Sequence, residues 1–118
     1  MRLASLLLAL ALPLPLSASP APTTVTVGLS NYRFEPAVIR LRRGQPYILN
    51  LVNRSGRGHN FVAPDFFAAA GFGFRKVEVP PRGAAKLALT APAAGRYRVK
   101  CTHFTHALRG MKGEILVE

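Results

Sequence analysis

From residue 23 onward, apolar positions recur with a period of two: Val25, Val27 and Leu29 alternate with Thr24, Thr26 and Gly28. Such alternation puts one set of side chains on each face of an extended chain and predicts a half-buried strand. The same reasoning predicts a second strand over Val38, Ile39 and Leu41, interleaved with Arg40 and Arg42 and stopped at Gly44. A third runs over residues 47–53 with Tyr47, Leu49 and Leu51 on one face. Residues 76–79, 84–90, 96–100 and 114–117 add further strands bounded by Gly or Pro, while residues 31–36 read as a turn. Seven to eight short strands with turn signals between them predict an all-β fold, a Greek-key sandwich or barrel. Residues 64–73 interrupt the alternation with Asp65, Phe66, Phe67 and three alanines, and predict one short helix or irregular insert. Together with Phe72, its phenylalanines read as packing at one end of the core.

The first residues follow a different pattern. Met1 and Arg2 precede an apolar run over residues 3–16, which contains Pro13 and Pro15 and ends at Ser17, Ala18 and Ser19. That is the order of a positive n-region, an apolar h-region and a cleavage zone. The run is shorter than the roughly 20 residues that span a bilayer, and its prolines weaken a helix. Residues 1–18 are therefore expected to be a signal peptide cut after Ala18. Residues 19–118 would be a single exported domain, periplasmic or extracellular, since a chain of this length has room for one core.

Charge narrows the choice of partner. The chain holds 16 Lys and Arg against 5 Asp and Glu, and loss of Arg2 with the leader leaves a net charge of about +10. The acidic residues Glu35, Asp65, Glu78, Glu114 and Glu118 are scattered. A basic field favours anionic partners. Export and the absence of a basic run interleaved with aromatics argue against nucleic acid. An acidic or membrane-associated redox protein, or an anionic membrane surface, is the expected partner of a monomer without a small-molecule substrate. The plainer alternative is that much of this charge serves solubility.

Cys101 is the one cysteine. It cannot form an internal disulfide, and a free thiol outside the cytoplasm is a liability unless something occupies it. Residues 100–113 read Lys-Cys-Thr-His-Phe-Thr-His-Ala-Leu-Arg-Gly-Met-Lys-Gly, which gathers a thiolate, imidazoles and a thioether between two predicted strands. Soft sulfur with imidazole favours copper. Cys101, His106 and Met111 can all come from this loop, and a fourth ligand must come from elsewhere. His59 is the one histidine outside the loop, in a glycine-rich turn past the third strand. If the last strands pair with the third, the two segments meet at one end of the barrel. His103, two residues from Cys101, would need a bend to reach the same ion and is expected to be an exposed imidazole at the site's edge. Taken singly, Met111 reads as core, Cys101 as inert packing and His59 as a solvated loop residue. Their joint order points to copper.

A distant His followed by Asn, and a terminal Cys-x4-His-x4-Met loop leading into the last strand, make the chain resemble the cupredoxins. This is the blue copper family that includes plastocyanin, azurin and auracyanin. The resemblance implies one copper ion with His59, Cys101 and His106 as equatorial ligands and Met111 as the axial one. It also implies that Asn60 bonds near Thr102 and directs its backbone N–H at the Cys101 sulfur. The implied activity is electron transfer, with entry at the His106 edge among Phe104, Ala107 and Leu108 and with Arg109 steering an acidic partner. One rival is a periplasmic copper carrier that supplies an exported oxidase, although the chain has only Met1 and Met111 for an open Met-rich site. The other is a metal-free structural sandwich. Copper enzymes of this fold need further histidines beyond the three present, so enzyme chemistry is not expected. Zinc bound by these residues would be a substitution for copper.

Overall fold

Alternation builds most of the architecture. In the computed structural model, which describes residues 2–15 and 20–118, nine strands form two sheets with one short helix. The strands are β1 (Thr23–Ser30), β2 (Arg33–Glu35), β3 (Val38–Leu41), β4 (Pro46–Asn53), β5 (His59–Val62), β6 (Lys76–Val79), β7 (Ala84–Thr90), β8 (Gly95–Lys100) and β9 (Lys112–Val117). The helix α1 (Pro64–Ala69) lies between β5 and β6. One sheet has the order β2-β1-β4-β7 and the other β3-β9-β8-β5-β6, so the chain changes sheet five times.

Between the sheets lies one apolar core. Val27, Leu29, Phe34, Leu49 and Leu51 come from the four-stranded sheet, and Ile39, Leu41, Phe61, Val79, Val99, Ile115 and Val117 from the five-stranded one. Burying each such side chain contributes about 1.5–3 kcal/mol. In β4 every second residue is buried, and this register delivers Asn53, a polar residue, to the core face at the strand's end. At Gly113 of β9 the backbones approach closely: a Cβ there would lie 2.6 Å from the Ala37 carbonyl oxygen.

The all-β sandwich matches the expectation from the sequence, with three differences. Residues 33–35, expected within a turn, pair as β2 with β1 and bury Phe34. His59 and Asn60, expected in a loop, open β5, which is buried on both faces and so shows no period of two. The last strands do not pair with the third predicted one. That strand, β4, lies in the other sheet between β1 and β7, while β8 pairs with β9 and β5. The site's two segments therefore meet through β5.

The insert forms α1, with Pro64 in its first turn. Phe66 packs edge-on against Tyr97, and Phe67 against Phe61 and Phe72. Residues 2–15 carry no helix or strand, and the leucines among them are exposed. The expected cleavage zone at residues 17–19 lies outside the described residues. No described helix is long and apolar enough to cross a membrane.

Candidate metal centre

His59 opens β5 and Cys101 directly follows β8, so the five-stranded sheet presents both at one end. The chain between β8 and β9 then coils through tight turns. The N–H of His106 donates to the His103 carbonyl at 2.9 Å and that of Arg109 to the Thr105 carbonyl at 3.0 Å. Its ends are tied, because the Met111 N–H donates to the His106 carbonyl at 3.0 Å and the Cys101 N–H to the Met111 carbonyl at 3.2 Å. The loop thus folds back and carries His106 to Cys101.

Three donors converge. The Cys101 Sγ lies 3.4 Å from His106 Nδ1 and 3.9 Å from His59 Nδ1, and the two Nδ1 atoms are 3.2 Å apart. All three residues are buried. A triangle with these edges has its centre about 2.0 Å from each corner, which is the length of metal–imidazole bonds and slightly under that of metal–thiolate bonds. A thiolate with two imidazoles is a soft, three-cornered donor set of the kind that suits copper.

Hydrogen bonds determine which nitrogen of His59 is free. Its Nε2 lies 2.9 Å from Asn31 Oδ1 and 3.0 Å from Ser55 Oγ. The Ser55 hydroxyl donates to Asn53 Oδ1 at 2.8 Å, so toward His59 it acts as an acceptor. The Nε2 hydrogen is therefore fixed in place, and the lone pair sits on Nδ1 facing the other donors. Asn53 holds this arrangement by donating from Nδ2 to the carbonyls of Arg57 and Val79 at 2.7 and 3.1 Å. Burial lowers the His59 pKa to about 4, aided by the positive fields of His106, His103 and Arg57. Burial also lowers that of His106, followed by the charges of His103, Arg57 and Arg109. Both rings are neutral near pH 7, as ligation requires.

Asn60 joins the two segments. Its backbone N–H points at Cys101 Sγ at 3.5 Å, Nδ2 donates to Thr102 Oγ1 at 2.8 Å, and Oδ1 accepts from the Thr102 N–H at 2.8 Å. Met111 is fully buried at the loop's closing end. His103 stays out of the cluster, half-buried, with Nε2 2.8 Å from Glu78 Oε2. Phe104 and Leu108 are exposed, at 100% and 85%, and Ala107 is half-buried between them in sequence. Arg109 lies 5.1 Å above the Tyr32 ring, which in turn packs 4.9 Å from the His106 ring.

Sequence reasoning missed Asn31, Tyr32, Asn53, Ser55 and Glu78. Four of these are polar residues of types common in turns and strand ends, and no spacing rule sets them apart.

Known structures share this architecture. An auracyanin from Roseiflexus castenholzii superposes with a TM-score of 0.65 at 21% identity, covering 84% of this chain and 99% of that one. Auracyanin A from Chloroflexus aurantiacus, a blue copper protein, gives 0.62 at 20% identity over 83% and 100%. A reduced amicyanin variant gives 0.58 at 22% over 84% and 86%. At these identities the likeness is one of fold. No curated protein sequence matches the chain. Residues 2–117 match the cupredoxin-like domain family as a whole, and the chain belongs to that family.

Proposed function

We propose that this chain is an electron-transfer protein that binds one copper ion through His59, Cys101 and His106, with Met111 as the axial ligand. The observation that carries the reading is the convergence of three buried donors, all within 4.8 Å of one another, at one end of a cupredoxin-like domain. Copper in such a site accepts and releases one electron. The protein holds the donors in a buried frame with their hydrogen bonds already made, so little has to move when the charge changes. Asn60 keeps an N–H directed at the thiolate, while Asn31 and Ser55 hold His59 in one tautomer.

Export with loss of residues 1–18 accords with the leader pattern, and a monomer with an acidic redox partner is the reading we adopt. Beside the Cys101 loop runs a groove of about 630 Å³, lined by the apolar Val62, Pro64, Ala107 and Leu108 and by three cations, Arg98, Lys100 and Lys112, against one carboxylate, Asp65. Lys100 pairs in register with Lys112 across β8 and β9, which sets two cations side by side next to the apolar Leu108. An acidic partner would meet both surfaces at once.

Voltammetry of the copper-loaded protein tests the activity. A reversible one-electron wave with an intense visible band supports electron transfer. A colourless protein that hands copper quantitatively to a chelating acceptor would replace this reading with that of a carrier.

A further inference from the structure

Glu78 belongs neither to the donor set nor to the Asn60–Thr102 link, yet it touches both segments of the site. It lies on β6 directly opposite Asn60 on β5. Its Oε1 accepts from Asn60 Nδ2 at 3.1 Å, and its Oε2 lies 2.8 Å from His103 Nε2. An amide nitrogen carries two hydrogens. Those of Asn60 go to Thr102 and to Glu78, so its side chain is held from the loop on one side and from β6 on the other.

His103 is held just as closely. Its ring stands above Gly58, where an added Cβ would lie 3.4 Å from Cε1. It stacks on the His106 ring at 17° between planes and 5.9 Å between centroids. The carboxylate at the far end of His103 therefore bears on the orientation of His106. Burial alone would raise the Glu78 pKa, but the donors His103, Asn60 and Lys76 outweigh it and hold the carboxyl below its ordinary value. At neutral pH Glu78 is an anion at the rim of a site whose other nearby fixed charges are cationic.

We propose that Glu78 is a positioning residue for the metal centre: it clasps the first turn of the Cys101 loop to β6 through His103 and Asn60. In this way it fixes both the His106 ring and the N–H aimed at the Cys101 sulfur. The inference rests on the copper reading above. It gives Glu78 two separable effects. The geometric one runs through its hydrogen bonds. The electrostatic one is its negative charge, which favours the higher oxidation state of a bound metal and so lowers the reduction potential.

Glu78→Gln and Glu78→Ala separate the two effects, since Gln keeps both contacts, its oxygen accepting from Asn60 and its amide N–H donating to Nε2 of the other His103 tautomer, but loses the charge. In copper-loaded protein, Glu78→Gln should leave the visible and paramagnetic spectra unchanged and raise the potential. Glu78→Ala should raise the potential and also alter both spectra. His103→Ala should reproduce part of that spectral change, and the double variant should add little to Glu78→Ala alone. Wild-type spectra together with wild-type potential in Glu78→Ala would overturn the proposal. If that variant does not fold, an unchanged potential in Glu78→Gln overturns it instead.

The metal-free protein gives an independent readout. Exchange of the Thr102 amide hydrogen should quicken about tenfold in Glu78→Ala, with Glu114→Ala as an unaffected control on the same sheet. Faster exchange in a protein whose wild type shows no copper band would refute the copper reading and leave the clasp standing. Unchanged exchange and unchanged potential beside a normal wild-type band would refute the clasp alone.

Discussion

The two sheets serve the metal centre in different ways. The five-stranded sheet supplies the donors: His59 opens β5, Cys101 follows β8, and the loop with His106 runs into β9. The four-stranded sheet supplies the supports of His59, since Asn31 follows β1, Asn53 ends β4 and Ser55 lies just beyond it. The donors determine which metal is bound. The supports determine which nitrogen of His59 meets it, so damage to the four-stranded side should weaken the site without removing a ligand.

The largest such effect is expected at Asn53, whose side chain donates two hydrogen bonds and accepts two from Ser55. Asn53→Ala removes these four hydrogen bonds, three of them buried, and should destabilise the protein by about 3 kcal/mol in urea unfolding. Copper affinity should fall with it. A variant as stable and as tight-binding as wild type would break the division of labour between the sheets. On the donor side, Gly113→Ala drives a Cβ against the Ala37 backbone and should cost about 2 kcal/mol. Full stability there would show that β3 and β9 can separate without disturbing the loop.

Ser55→Ala and Asn31→Ala each remove one acceptor from His59 Nε2. Competition with a chelator should show copper affinity lowered by about tenfold for each, with both variants remaining folded. The smallest effect is expected at Arg96, whose ion pair with Glu114 spans β8 and β9 at the surface. Arg96→Ala should change stability by less than about 0.5 kcal/mol, with copper affinity unchanged. A larger effect on affinity would mean that the outer face of the donor sheet helps to set the site.

What could be read in the sequence follows the same line between donors and supports. The strands with one solvent face announced themselves by alternation, as β4 does with Tyr47, Leu49 and Leu51. β5 does not, because all four of its residues are buried, and from sequence alone His59 reads as a loop residue. The three donors were conspicuous by type: a lone cysteine, scarce histidines and a short loop spacing. Asn31 and Ser55 were not, since their roles come from contacts with His59 across 28 and 4 residues of chain that no local pattern encodes. Glu78 stands in the sequence as one of five scattered acids. Its position opposite Asn60 depends on the β5–β6 register, which could not be drawn without β5.

Cu(II) titration of the purified protein, followed by visible absorption for the wild type and for Cys101→Ser, tests the central claim most directly. The account predicts an intense band in the wild type that saturates at one copper per chain and is lost in Cys101→Ser, because the band arises from copper–thiolate bonding. A wild-type protein without the band, or a Cys101→Ser variant that keeps it, would contradict the account.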